Sequence, residues 1–328
     1  MQIRVIRAAE VRRLLPMAEC IELMRRTMIA LSEGRAVVPL RTVMAMPGKR
    51  GMLGNMPGYL TDPECYGVKL VSLLAGGEPP RNSSHIGVVL LFEPEHGRPV
   101  ALLDAGTITA IRTAAASALA TRLLARPDAG DLALLGAGEQ ARSHLEAMLA
   151  VRDLRRIRVW TRNAQKAEAF ARTEGARHGI EIETAPSVRE TVLDADIICT
   201  LTKAPEPILR GEWVASGAHL NVVGSSIASA AEIDTAAVVR ARVFVDSRNS
   251  AVHEAGEYLR ALAAGAITPE HLLGEIGEVA NGSKSGRGSP QDVTLYKSLG
   301  VAPQDLAAAH YVLEKARAAG LGEAVEFC

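Results

Sequence analysis

Two short stretches carry residue types and spacings that suit a phosphate-rich ligand. In LALLGAGEQARSHLEAML, residues 132 to 149, Gly136-x-Gly138-x-x-Ala141 follows an apolar run and opens a helical pattern. Gly136 permits a tight turn, Gly138 lets backbone approach a pyrophosphate, and Ala141 lets the helix lie close to the strand. Glu139 and Gln140 begin that helix, whose unpaired N–H groups attract negative charge. A plain turn in an unliganded α/β layer is the competing explanation. The second stretch, RVWTRN, ends a later strand pattern with Thr161, Arg162 and Asn163. A site for NAD(H) usually places a carboxylate there against the ribose hydroxyls, whereas an arginine with neutral neighbours suits a 2′-phosphate. NADP(H) is therefore the preferred cofactor and NAD(H) the other candidate; Arg162 as an ordinary solvated charge is the alternative.

The elements needed to place these residues are legible as rhythm. After a short strand at IRVI, the segment from Pro16 to Gly34 carries Cys20, Ile21, Met24, Met28 and Leu31 at helical spacing. From Arg41 to Asp104 the texture changes to short β-prone runs, RTVMAM, YGVKLVSLL, IGVVLLFEP and RPVALLD, broken by Gly, Pro and Asn. Thr107 to Ala125 reads as a connecting helix. Then strand and helix alternate: DLALLGA, a helix from Glu139 to Val151, RIRVWT, a helix from Ala164 to about Arg177, IEIETA, a helical SVRETVLDA and DIICTLT. AHLNVVGS and ARVFVDS are further strands, GRGSPQDVTLYKSLG reads as a loop-rich passage, and APQDLAAAHYVLEKARAAG as a final helix. The expected class is α/β: a Rossmann-type NAD(P)-binding domain over 120–295, and a discontinuous α+β substrate and dimerisation domain from 1–119 with 296–328.

Composition narrows the partners. Lys plus Arg equals Asp plus Glu at 37 each, so no general field draws in nucleic acid or an anionic membrane. Four Phe and two Trp leave little for stacking single-stranded bases. Cys20, Cys65, Cys199 and Cys328 are scattered, and no histidine and cysteine spacing suggests a metal. MQIRVIRAAEVRRLL lacks the apolar core of a signal peptide and no run of 18 apolar residues occurs, so the cytoplasm is the expected location.

Several segments in order, LGNMPGYL (53–60), YGVKLVS (66–72), SSHIGVVLLFEPEHGRPVALLDAGTITAIRTAAASALAT (83–121), LLGAGEQA (134–141), HLNVVGSS (219–226) and TLYKSLGVAPQDLAAA (294–309), make the chain resemble the ornithine cyclodeaminase/μ-crystallin family. The resemblance implies a homodimer and a small amino acid, or its imine or keto counterpart, as substrate. By motif it makes Arg41, Lys69 and Arg112 the cations that hold the substrate carboxylate, a task suited to charge-assisted donors. It places Ser84 and His85 beside the nicotinamide or the substrate, with His85 as a proton donor or a structural hydrogen-bonding residue. It gives cofactor contacts to Arg112 and Thr113, and extends that set to Thr200, Val223, Gly224, Ser225 and Thr294.

One position departs from the cyclodeaminase pattern. Where the resemblance would put an aspartate that handles the substrate amine, this chain has Ser226, after Gly224 and Ser225. Loss of that carboxylate removes an ion-pair partner for ornithine and a base for amine chemistry. The implied reaction is NAD(P)H-dependent reduction of a small cyclic imino acid, Δ1-pyrroline-2-carboxylate or Δ1-piperideine-2-carboxylate. Ornithine cyclodeamination, amino-acid dehydrogenation and non-catalytic small-molecule binding are the alternatives.

Overall fold

The computed structural model describes residues 2–74 and 86–326. The chain divides into two compact units, Met1–Ala115 with Val301–Cys328, and Ala116–Gly300. The first begins with β1 (Gln2–Ile6), α1 (Ala8–Leu14) and α2 (Met17–Ser32), followed by β2 (Ala36–Val37), β3 (Thr42–Ala45), β4 (Gly51–Thr61), β5 (Glu64–Leu74), β6 (Ile86–Phe92) and β7 (Pro99–Asp104). In α2 the predicted apolar stripe is packed at Cys20, Ile21, Met24 and Met28, while Leu31 is only partly buried; Pro16 caps the start, and Gly34 turns the chain at φ +73°. Helix α3 (Ala105–Leu124) then runs through the division.

The second unit is a doubly wound parallel sheet. Its strands are β8 (Asp131–Leu135), β9 (Arg156–Trp160), β10 (Glu183–Thr184), β11 (Ile197–Thr200), β12 (His219–Val222), β13 (Ala241–Val245), β14 (Leu272–Glu275) and β15 (Val293–Lys297). Their order is β10-β9-β8-β11-β12-β15-β13-β14, with every pairing parallel. The connecting helices are α4 (Glu139–Leu149), α5 (Ala164–His178), α6 (Val188–Val192), α7 (Thr235–Arg240), α8 (Arg248–Glu254), α9 (Gly256–Ala263) and α10 (Ile276–Ala280). Ile198, Leu220, Val222, Val243, Val245 and Leu295 form the middle of its core. Strand order reverses between β8 and β11, and a ligand in such a sheet binds outside the carboxyl ends at that reversal.

The chain returns to the first unit as α11 (Ala302–Ala319) and β16 (Glu323–Glu326). Helix α11 packs on β4, β5, β6 and α2, and the sheet runs β16-β1-β7-β6-β5-β4-β2 with β3 also on β4. This is the expected α/β class, a Rossmann-type sheet and a discontinuous α+β unit. No helix among the described residues is long and apolar enough to cross a membrane.

Two elements differ from the sequence expectation. VTLYK, read as loop, is β15, buried at all five positions between β12 and β13. A strand buried on both faces shows no alternation, and its Gly, Ser and Pro flanks masked it. Conversely IEIETA contributes only the exposed pair Glu183–Thr184, at the edge of the sheet where one neighbour supplies all its pairing.

Candidate active-site residues

In the second unit the glycine pattern lies at the strand-order reversal. Gly136 N donates to Trp160 O at 2.7 Å, and its φ of +126° excludes other residues at low cost. A Cβ on Gly136 would stand 2.8 Å from Leu201 O, so β8 and the segment after β11 meet through bare backbone. Gly138 is the N-cap of α4, and no atom of the described residues lies within 4 Å of where its Cβ would sit. Ala141 is fully buried, and the Gln140 side-chain oxygen is buried with no hydrogen-bond partner among the described residues. An open approach at Gly138 in front of a helix N-terminus fits a dinucleotide pyrophosphate. At the end of β9, Thr161 is half-buried and Arg162 is exposed. The Asn163 side chain is engaged locally, capping α5 by accepting from Lys166 N at 3.1 Å.

The ends of β11 and β12 are tied by side chains. Thr200 donates to Glu232 at 2.7 Å, Ser225 Oγ donates to Ala230 O at 2.7 Å, and half-buried Ser226 follows in the same loop. Val223 and Gly224 both donate from backbone N to Thr200 O at 3.1 Å. Thr294 is set apart from this group. It pairs with His219 at the level of Ile197 and Leu132, near the amino ends of the strands. Its hydroxyl donates to Leu124 O and meets Arg287 and His219, each at 3.0 Å. The register thus removes Thr294 from the cofactor residues and makes it a packing hydroxyl. His144, on α4, bonds Ser117 Oγ at 2.9 Å and Gln140 O at 2.8 Å, and burial pushes its pKa down to about 4, so the ring is neutral.

In the first unit the cations meet on the inward face of the sheet. Alternation along β5 buries Cys65, Gly67, Lys69 and Val71, which sets Lys69 beneath α11. Lys69 Nζ lies 2.7 Å from Asp305 Oδ2 and 3.5 Å from Thr109 Oγ1. Arg112, reaching from α3, donates through Nε to Asp305 Oδ1 at 2.9 Å and through Nη1 to Gln304 Oε1 at 2.8 Å. Lys69 is 3% exposed, Arg112 4% and Asp305 0%. Burial lowers the Lys69 pKa to about 8; Asp305 acts against that fall, while Arg112 and Arg41 add to it. The Asp305 carboxyl stays below the usual carboxylate range: burial alone would raise it, and Arg112 and Lys69 overcome that. Arg41 stands just before β3, half-buried. Among the described residues Lys69 and Arg112 share the one carboxylate of Asp305, an excess of positive charge that a substrate carboxylate would neutralise. Thr113 is buried and its hydroxyl has no hydrogen-bond partner among the described residues. Ser84 and His85 lie outside the described residues.

Sequence reasoning did not single out Asp305, Gln304 or Ser298. Asp305 and Gln304 stand in PQDLAAA, where polar residues heading an apolar helix look like first-turn capping, yet both are fully buried. Ser298 follows β15 at its carboxyl end, with a buried hydroxyl that has no hydrogen-bond partner among the described residues; a loop reading of its segment gives it no place in the sheet.

A family model described as the ornithine cyclodeaminase/mu-crystallin family matches residues 1–320. The chain belongs to that family. Similar relatives include ketimine reductase mu-crystallin of Mus musculus, 40% identical over 282 residues and 86% of either chain. Delta(1)-pyrroline-2-carboxylate reductase of Bacillus cereus (strain ZK / E33L) is 33% identical over 324 residues, 98% of this chain and 99% of that one. Among solved structures, Thermococcus litoralis Delta(1)-pyrroline-2-carboxylate reductase in complex with NADH and L-proline matches with a TM-score of 0.95 at 36% identity, covering 98% of this family member and 100% of that chain.

Proposed function

We propose that this family member is a nicotinamide-dinucleotide-dependent reductase of a small cyclic imino acid, with Δ1-pyrroline-2-carboxylate or Δ1-piperideine-2-carboxylate as substrate and the cyclic amino acid as product. The observation that carries the reading is the buried Lys69 and Arg112 pair sharing one counter-ion, Asp305, in a chain with a Gly136-x-Gly138 nucleotide turn. The reductase names borne by the Mus musculus, Bacillus cereus and Thermococcus litoralis proteins support it.

The second unit holds the nucleotide through Gly136, Gly138, Gln140 and the N-terminus of α4. When bound, the reduced nicotinamide supplies a hydride for the imine carbon. In the first unit Arg112 offers a planar donor set and Lys69 a point charge, with Arg41 nearby, to fix the substrate carboxylate and hence the face of the C=N bond. A Lys69 pKa of about 8 keeps Nζ mostly protonated at neutral pH while allowing it to release a proton, so it is the proposed proton donor. Ser226, a neutral hydroxyl, provides no base for oxidising an amine, which favours a substrate already at the imine level.

We further propose NADP(H) over NAD(H). The Thermococcus litoralis protein is solved with NADH, but here Thr161, Arg162 and Asn163 give the ribose end no carboxylate. A homodimer through the first unit's sheet is the proposed assembly, supported by exposed Val37, Val43, Met44, Leu53 and Leu74 on its strands.

The test follows nicotinamide absorbance with NADPH and NADH against both cyclic imino acids, and ammonia release from ornithine with NAD⁺. Cyclic-imine reduction with little ammonia release is expected. Ser226→Ala should cost less than Lys69→Ala or Arg112→Ala, since a neutral hydroxyl contributes roughly 0.5–1.5 kcal/mol and a charged contact more. Steady ammonia release with no reduction of either imine would restore the cyclodeaminase.

A further inference from the structure

The loops after β11 and β12 approach so closely that Gly224 has no room for a side chain: a Cβ there would stand 2.0 Å from Thr202 O. Such contact between two backbone segments needs something to hold it, because both carry polar groups removed from water. Glu232 supplies the link. Its Oε1 accepts from Thr202 N and Thr202 Oγ1, both at 2.7 Å. Its Oε2 accepts from Thr200 Oγ1 at 2.7 Å and Gly224 N at 2.6 Å. One fully buried carboxylate therefore makes four hydrogen bonds, shared between the two loops.

A second tier lies behind it. Glu232 N donates to Glu257 Oε1 at 3.0 Å, and Lys297 Nζ pairs with Glu257 Oε2 at 3.1 Å. Lys297 Nζ also donates to the carbonyl of Ser225. Two acids and a lysine are thus buried, and Glu257 and Lys297 line one cavity with Val222, Val245 and Leu295. A buried polar network of this kind is costly unless each member is bonded, and these bonds converge on Thr200, Thr202, Gly224 and Ser225.

We propose that Glu232 is a positioning residue for the dinucleotide: its carboxylate locks the Thr200–Thr202 and Val223–Ser225 segments together at the carboxyl edge of the sheet, with Glu257 and Lys297 setting the level of the Ser225 peptide. The proposal rests on the nucleotide-binding reading of the second unit. It assigns Glu232 no contact with cofactor or substrate.

The geometry selects the test. Each carboxylate oxygen faces one backbone N–H, that of Thr202 on one side and that of Gly224 on the other. Glutamine has the size of glutamate but only one acceptor oxygen, so either orientation of its amide sets an NH₂ against a backbone N–H. Glu232→Gln must release one loop without creating a cavity. Full-length wild type and variant are compared by fluorescence titration with NADH and NADPH, by kinetics with Δ1-pyrroline-2-carboxylate, and by amide hydrogen exchange across 200–204 and 223–226. The variant should raise the cofactor Kd and KM about tenfold, equivalent to about 1.4 kcal/mol. Its kcat at saturating cofactor should fall by less than that, and exchange should quicken in both segments. Glu232→Asp, which keeps both acceptors, should recover part of the affinity.

If Glu232→Gln does not fold, Thr202→Val, which removes one hydroxyl donor, should raise the cofactor Kd roughly threefold. A folded Gln variant with wild-type cofactor Kd and KM, even at a lower Tm, overturns the proposal, as does a Val variant with unchanged Kd where the Gln variant is unfolded. A wild-type protein that binds neither NADH nor NADPH overturns the nucleotide reading, and this proposal with it.

Discussion

Asp305→Asn tests the proposed substrate-binding residues of the first unit, because Asp305 is the one carboxylate shown bonding to both buried cations, Lys69 at 2.7 Å and Arg112 at 2.9 Å. Removing one partner of a buried ion pair costs about 3–5 kcal/mol, since the remaining charge is left in a medium that solvates it poorly. Asparagine retains one acceptor oxygen, so the lower end applies. For a unit of this size a loss of about 3 kcal/mol corresponds to roughly 6–12 °C in Tm. The same substitution has a second effect, on proton affinity. Asp305 raises the Lys69 pKa against burial and two arginines, and the balance is about 8. Without Asp305 the pKa falls further. In the proposed mechanism the charged lysine both holds the carboxylate and supplies the proton, so activity should be lost as pH rises through the Lys69 pKa. The basic limb of kcat/KM, expected near 8 in the wild type, should therefore move to lower pH in the variant. Thermal melts and pH–rate profiles with Δ1-pyrroline-2-carboxylate measure both effects. An Asn variant with wild-type Tm, or a basic limb that stays in place or moves upward, would refute the counter-ion argument.

Two further expectations concern the proposed nucleotide-binding residues of the second unit. Gly136→Ala should destabilise the second unit, because φ is +126° and the new Cβ would be 2.8 Å from Leu201 O. Gly138→Ala, with nothing within 4 Å, should leave Tm nearly unchanged while weakening cofactor binding; melting curves and NADPH titrations separate the two, and equal melting temperatures for both variants would contradict the assignment. Arg162→Ala should weaken NADPH about 10- to 150-fold and NADH far less, the loss of a charge-assisted contact of ~1.5–3 kcal/mol; equal losses for both cofactors in titration would remove the basis for NADP(H).

Local chemistry made much of the protein legible in its residues. The turn at Gly136, the helix behind it and the amphipathic face of α2 depend on backbone freedom and side-chain spacing within a few positions, which sequence displays directly. The inward direction of Lys69 likewise follows from the period of two along β5. Other features depend on residues far apart in the chain. Asp305 lies 236 positions from Lys69 and 193 from Arg112, so its role as their shared counter-ion appears only when α11 packs over β5. Glu232 looks like an ordinary acid before a helix until the ends of β11 and β12 are brought onto it. The amino-end position of Thr294 became visible only through strand register, because a five-residue buried run carries no sign of its neighbours or its level in the sheet. Spacing recorded which groups this chain can offer; long-range packing decided which charges are desolvated together, and that desolvation sets the Lys69 proton affinity on which the proposed chemistry depends.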